Sequence, residues 1–556
     1  MPIPANHATS FYAVDISKFQ DSNGDGIGDL PGVIQRLDYL AELGVSHVWV
    51  LPFFPSSGRD NGYDIIDYYQ VDPTYGTLDD FRTLLREAHR RNLRIIIDLV
   101  AHHTSDQHPW FQAARADRSS PYRDYYVWSP VKPTENQPKS IFPGPEKDVW
   151  TWDEVAGEYF FHRFYHFQPD LNFANPHVQD EFIAVARYWM NIGVDGFRID
   201  AANHLFEEKG IPGTAIDDPC VFIRRLRSVV DELNPEAVLV AEADVTADAI
   251  AELACAGDGM DLFLNFLLNN QLFLGLTREL ATPVADGLRE LPQMPDGSQW
   301  LNFLRNLDEI DLERLEDDER AEVFERFAPD EDMRIYGRGI RRRLAPLLDG
   351  EKRRARMLFS LLFALPGAPL VVYGDEIGLG DDLRLPERMS VHLPMQWSDD
   401  YLGGFTSANE ATTGVAPIAD GAYGYKKVNV AAQLKDPESL LNLVAQLHRC
   451  RSAMSNIWMR PITFETLADG RVLRVAYDGE EGSLETFHNF SKRREIGIQP
   501  GLSEEFEPVM ADSGSTIEKD GLLTLGPYGF CWLLSSRANP IPESRRIERL
   551  RFPVPS

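Results

Sequence analysis

The sequence predicts an α/β chain: a (β/α)8 TIM barrel, a lobe inserted after its third strand, and a C-terminal antiparallel β domain. Three observations predict it. Short apolar, β-branched runs recur eight times, most of them separated by helical stretches. The rhythm breaks after the third run, in a segment rich in Pro, Trp, Tyr, Phe and His. It changes kind after about residue 460, where short alternating runs follow one another between Gly, Asp and Pro turns.

The eight candidate strands are FYAVDI from Phe11, HVWVLPF from His47, LRIIIDLV from Leu93, VDGFRIDAA from Val194, AVLVAEAD from Ala237, LFLNF from Leu262, LNFLRNLDE from Leu301 and APLVVYGDE from Ala368. They are near-continuous in apolar residues, as strands buried on both faces are. Amphipathic stretches such as TLDDFRTLLREAHRRN from Thr77 and QDEFIAVARYWMNIG from Gln179 supply the helices between them. The barrel is therefore expected over residues 1–101 and 173–458, and the lobe, without a clear helical period, over 102–172. A Gly/Ala/Thr-rich loop spans about 398–425, and loops of that length are usually functional. The β domain is expected over 459–536, built from RVLRVAYD, SLETFHNF, EIGIQP, GLLTLGP and GFCWLLSS, and residues 537–556 read as an extended tail.

With 43% hydrophobic and 11% aromatic residues among 556, the chain can bury a large core, which excludes a disordered or fibrous chain. The net charge is −31, a field that repels phosphate backbones and anionic membranes. Neither nucleic acid nor membrane is an expected partner; a small neutral sugar is. Cys220, Cys255, Cys450 and Cys531 are scattered and form no disulfide framework or CxxC knuckle. The N-terminus lacks a basic start followed by an apolar run, and no stretch is long and apolar enough to span a bilayer. A cytoplasmic enzyme is expected, and a homo-oligomer is left open.

Catalytic groups of a barrel enzyme sit at the C-terminal ends of its strands. Here the fourth strand ends in Asp200, the fifth in Glu242 and the seventh in Asp308. Arg198 lies two residues before Asp200, on the same strand face, where a cation keeps a carboxylate ionised and oriented. His103 follows the third strand. Carboxylates converging on one barrel mouth suit glycoside chemistry, in which one attacks the anomeric carbon and the other protonates the leaving oxygen. A separate loop, DSNGDGIGD, places Asp21, Asn23, Asp25 and Asp29 at positions one, three, five and nine, with the Ile27 carbonyl at seven. That is the oxygen spacing of a calcium loop, although position twelve is Gly32 rather than a bidentate Glu.

The blocks DLVAHHTS, QPDLNF, GFRIDAA, AEAD and RNLDE, in this order and at strand ends, resemble glycoside hydrolase family 13, the α-amylase family. The resemblance spans roughly residues 11 to 535 and is nearest in wording to the trehalose synthase branch, through DEDMRIYGRGIRRRLAPLLDGEKRR, FYAVDISKFQDSNGDGIGDLPG and LPMQW. It implies a retaining reaction with Asp200 as nucleophile, Glu242 as general acid/base and Asp308 as the substrate-binding stabiliser. It also implies that Asp60 and Tyr63 of GRDNGYDI, together with His103, Gln168 and Arg198, hold the terminal glucose, and that the Asp21 loop binds a structural Ca2+. On this reading maltose and trehalose interconvert inside one pocket.

Three positions depart from that branch. His102 stands where relatives have Asn, Leu307 where they have His beside the stabilising Asp, and His392 where they have Arg before PMQW. On the family pattern position 392 pairs with Asp60, so that a titratable imidazole replaces a permanent cation. These departures keep open an exo-acting α-glucosidase or transglucosylase with an altered pocket. A non-catalytic carbohydrate-binding or scaffolding barrel is the alternative of another class.

Overall fold

A computed structural model describes residues 9–536 apart from 245, 410–413, 459, 480–481, 500–505 and 519–521. Its eight barrel strands are β1 (Phe11–Val14), β2 (His47–Val50), β3 (Arg94–Leu99), β4 (Gly196–Ile199), β5 (Val238–Ala241), β6 (Leu262–Leu264), β7 (Gln299–Phe303) and β8 (Ala368–Val372). Each pairs in parallel with its chain neighbours, and β1 closes on β8. All eight expected runs form these strands. Their β-branched and apolar side chains are buried on both faces, against the barrel interior and the outer helices.

The outer helices follow local sequence signals. Leu78–His89 starts at a capping box in which the Thr77 hydroxyl and the Asp80 carboxylate each satisfy the other's backbone N–H. It turns Phe81, Leu84, Leu85 and Ala88 inward. Pro176–Ile192 starts with an Asn175 cap and stops at Gly193, whose φ of 114° is open to glycine. Among the described residues no helix is long and apolar enough to cross a membrane.

Within 102–172 lies a three-stranded sheet with Glu158–Phe161 between Trp128–Ser129 and Trp150–Asp153. The segment also contains a helix, Pro109–Ala116, although its sequence shows no clear helical period. Its two turns are too short to show a period in an aromatic-rich sequence. The last domain is a five-stranded antiparallel sheet in the order Ile462–Leu467, Val472–Gly479, Gly482–Asn489, Phe530–Ser536, Phe506–Ala511. A second, three-stranded sheet accompanies it. Trp532 Nε1 donates to the Ser360 hydroxyl at 2.9 Å and Tyr477 OH to the Ala364 carbonyl at 2.8 Å, fixing this domain to the helix Lys352–Ala364. The expected tail, 537–556, lies outside the described residues.

One cysteine expectation is corrected. Cys220 and Cys255 form a disulfide that joins the start of the helix Pro219–Leu233 to the connection between β5 and β6. A sequence separation of 35 residues hid a pair that the barrel returns to neighbouring positions. Cys450 and Cys531 are free and buried.

Candidate active site

The strand register builds the centre of the site. On β3 and β4 it sets Asp98 beside Arg198. Arg198 is 1% exposed, and its guanidinium lies 4.9 Å from the Trp49 ring centroid. Nη1 donates to Asp98 at 2.6 Å and to Asp200 at 2.5 Å, and Nη2 meets Glu242 at 2.6 Å. Trp49 Nε1 holds the other Asp98 oxygen at 2.7 Å. One rigid fork thus fixes three carboxylates from three strands.

The turn after β4 adds a contact. Ala201 has a φ of 45°, a left-handed conformation that costs a non-glycine residue about 1–2 kcal/mol. That turn aims the Ala201 N–H at Glu242 Oε2, 3.0 Å away, while Ala202 N–H bonds the Glu242 carbonyl at 2.8 Å. Backbone strain here aligns the ends of β4 and β5.

Asp308 enters from beyond β7 and is held by Arg388, which lies in the connection after β8. The same guanidinium donates to Asp60 at 2.6 Å. Gln168 Nε2 donates to the second Asp60 oxygen at 2.8 Å, and His103 Nε2 lies 3.2 Å from the Tyr63 carbonyl. Asp200, Glu242, Asp308, Asp60, Tyr63 and His103 all line one cavity of about 660 Å³. Gln168 and Arg198 sit behind that wall, fully buried.

His392 is not at Asp60. Its Nδ1 lies 2.9 Å from Asp15 Oδ2 and its Nε2 3.0 Å from the Leu307 carbonyl. The expected pairing is therefore corrected: Arg388, four residues earlier, occupies Asp60, and His392 props the main chain just before Asp308. His102 is likewise engaged elsewhere, 2.8 Å from Lys209 Nζ and 3.1 Å from Asp170. Lys209, from the segment after β4, thereby joins that segment to the lobe, and its ammonium also donates to the His204 carbonyl at 2.6 Å. Leu307 is buried and adds no polar atom to the cavity wall.

Burial pushes all three acids upward, and the arginines set them apart. It raises Glu242 to about 7, against the pull of Arg198 and with the help of Asp200 and Asp308. It raises Asp200 too, again opposed by Arg198. Burial would also raise Asp308, but Arg388 and Arg198 outweigh it and hold that group below its ordinary value. Burial lowers His103 to about 4, which leaves it neutral near pH 7. The cavity thus offers an ionised carboxylate, a carboxyl able to carry a proton near neutrality, and neutral donors for hydroxyl groups.

The Asp21 loop lies apart from these acids. Asp21 Oδ1 accepts the N–H groups of Asn23 and Gly24 at 3.0 and 2.8 Å, and Asn23 and Asp25 repeat the pattern two residues on. Asp29 accepts from Ser22 N–H and Gly32 N–H. Among the described residues, the one acidic group with donors close enough for a shared ion is instead Asp244, Asp311 and Glu313. There Arg314 pairs with Asp244 at 2.7 Å and Arg338 with Asp311 at 2.6 Å, so cationic side chains already neutralise it.

Sequence reasoning missed Asp98, Arg388 and Lys209. Asp98 was readable as a strand acid paired in register with Arg198. Arg388 carried no signal beyond lying near the PMQW segment.

The catalytic-domain profile of α-amylase matches residues 16–281 and 340–459. The chain is 39% identical to a trehalose synthase/amylase of Mycolicibacterium smegmatis over 558 residues, covering 96% of this chain and 93% of the relative. It is 38% identical to a trehalose synthase of a Pimelobacter species, over 94% of each chain. The crystal structure of an α-amylase from H. orenii superposes with a TM-score of 0.74 at 27% identity, covering 95% of this chain and 99% of that one.

Proposed function

The chain belongs to the α-amylase family, and from that premise we propose that it is a retaining enzyme that interconverts maltose and trehalose by moving a glucosyl unit within one pocket. The observation that carries the chemistry is the Arg198 fork, which holds Asp200 and Glu242 side by side. Two carboxylates on one guanidinium suit double displacement, which needs them about 5–5.5 Å apart rather than the wider spacing of inversion. The likeness to the two trehalose synthases over nearly the whole chain supports the choice of disaccharides.

Asp200 attacks the anomeric carbon while Glu242, carrying a proton at pKa about 7, donates it to the glycosidic oxygen. The released glucose turns in the cavity and attacks again through another hydroxyl, whose proton returns to Glu242. Arg388 holds Asp308 and Asp60 in place, and their oxygens accept hydrogen bonds from sugar hydroxyls. Tyr63 stacks on the ring, and neutral His103, whose Nε2–H donates to the Tyr63 carbonyl, packs beside it. A second reading, an α-glucosidase that releases free glucose, is favoured only by Leu307, which withholds a polar contact.

Incubation with maltose and product analysis tests this reading. Trehalose should accumulate, and trehalose should return maltose. Asp200→Asn should abolish turnover with the fold intact. Glu242→Gln should fail on maltose but keep partial activity on an aryl α-glucoside, whose leaving group needs little protonation. Free glucose as the sole product would establish the glucosidase reading instead.

Asp21, Asn23, Asp25, the Ile27 carbonyl and Asp29 would hold Ca2+ in this proposal. Hard oxygen donors and three carboxylates fit a divalent ion of that kind. The Asn23 and Asp25 side chains are already folded back along the loop by hydrogen bonds to N–H groups two residues on. Such an ion would be structural and takes no part in the steps above.

A further inference from the structure

Arg388 holds the side chain of Asp308, and the main chain that carries it is held separately, at two consecutive carbonyls. Arg305 Nη2 donates to the Asp308 carbonyl at 2.8 Å. His392 Nε2 meets the Leu307 carbonyl at 3.0 Å, and its Nδ1 meets Asp15 Oδ2 at 2.9 Å. Asp15 follows β1, and its other oxygen accepts the Ser17 N–H at 3.0 Å and the Ser17 hydroxyl at 2.7 Å. His392, Asp15 and Leu307 are each 4% exposed, so this chain of contacts runs through the interior.

The two partners fix the charge of the ring. A carboxylate and a carbonyl can only accept, and a neutral imidazole has one N–H to give. Two such partners at hydrogen-bond distance require an imidazolium, donating from both nitrogens. Burial would raise Asp15, but His392, Lys18 and Ser17 outweigh it and bring it down to about 2, so Asp15 is a carboxylate across the neutral range. The uncharged Asn61 amide lies 3.1 Å from Nδ1 and 3.5 Å from Asp15 Oδ2. Other charged groups around the ring are Lys18 beside Asp15, Arg343 at the Val391 carbonyl, Arg305 at the Asp308 carbonyl, and Asp308 itself. When the ring loses a proton, the carboxylate keeps the N–H that faces it, because a charge-assisted bond is the stronger. The proton given up is the one on the Leu307 side.

We propose that His392 is a positioning residue that holds Asp308 in place only as an imidazolium, so that deprotonation of this one ring weakens sugar binding and slows turnover. It acts through the Leu307 carbonyl rather than on the sugar. The turnover part rests on the retaining reading above.

The test follows the full chain across pH with a nitrophenyl α-glucoside, whose leaving group needs little protonation from Glu242. Its kcat/KM should fall at least tenfold on the alkaline side. Asp15→Asn should flatten that fall to under twofold. The new amide donates to Nδ1, and a neutral ring then keeps its N–H on Leu307. Asparagine also preserves the cap that Asp15 places on the Ser17 N–H. His392→Phe, with a ring but no donor, should run at least tenfold below the parent's plateau and show no alkaline fall. An alkaline fall with the parent's midpoint in either variant would overturn the proposal, as would a parent whose kcat/KM stays level. Glucose affinity, read by calorimetry, needs no turnover. It should weaken in the parent over the same pH interval and stay level in Asp15→Asn. A parent that turns over no aryl glucoside yet shows this loss of affinity would overturn the retaining reading and leave the role of His392 standing. An affinity level across that interval in the parent would overturn the role of His392.

Discussion

His392 shows how a single residue can be identified correctly and placed wrongly. The sequence marks it as a departure from an arginine, and the family pattern assigns that arginine to Asp60. In the structure Asp60 is taken by Arg388 and Gln168, while His392 spans Asp15 and the Leu307 carbonyl. His392→Arg should therefore give no gain in kcat/KM for glucose-terminated substrates; a gain of tenfold would mean that the new guanidinium reaches the sugar or Asp60. Arg388→Ala should do far more. It leaves Asp60 and Asp308 without their cation inside the cavity, and stripping one partner from a buried ion pair costs about 3–5 kcal/mol. A fall in kcat/KM of at least ~100-fold is expected, with maltose consumption the readout; a loss under ~5-fold would show that neither acid depends on it. The acids were legible because each ends a strand in a dense motif. Arg388 was not, since it lies 80 residues from Asp308 and 328 from Asp60, in a short 3-10 turn without periodicity. No local pattern encodes a contact of that span.

At the scale of elements, the barrel was the most legible part, because strands buried on both faces must be apolar throughout and so stand out. Two of the strands that went unread, Ile462–Leu467 and Phe506–Ala511, are the edges of the five-stranded C-terminal sheet. Edge strands are half exposed and carry polar residues, which dilutes the pattern. The Asp21 loop is an element whose sequence is explicit. It is fastened to the long loop after β8: Asp21 N–H bonds the Phe405 carbonyl at 3.0 Å and the Thr406 hydroxyl donates to Asp21. An ion held there by the native state alone would add about 2.7 kcal/mol at a hundredfold excess over its Kd. A chelator should lower the melting temperature by several degrees, and Ca2+ should restore it. Asp25→Ala, at an exposed position, should erase the response to both. A melting temperature indifferent to chelator and calcium would refute the site.

The whole molecule carries an unusual load of buried titratable groups, and together they predict how stability varies with pH. Burial raises Asp98, Glu242, Asp244, Asp261, Glu309 and Glu376 to about 7 each. A carboxyl whose folded pKa lies above its unfolded value holds its proton more tightly when folded. Its contribution is complete below the unfolded pKa and is lost as pH rises through about 7. Burial lowers His47 and His103 to about 4, and His108, His448 and His488 to about 3. These act in the opposite sense: the unfolded chain gains their protons first, so stability falls as pH drops below about 6.5. Between about pH 4.5 and 6.5 the two sets oppose each other and the profile should be nearly flat. Above about 6.5 the histidines are neutral in both states, and only the carboxyls still titrate. Their ionisation adds buried charge to a chain whose formal net charge is already −31, so self-repulsion works in the same direction. The melting temperature at fixed ionic strength should therefore decline from about pH 6.5 to 8 and level off beyond, once those carboxyls have lost their protons. A melting temperature that rises across that interval would mean the six carboxyls are ionised at neutral pH, and with them the assignment of Glu242 as a proton-carrying acid would fall.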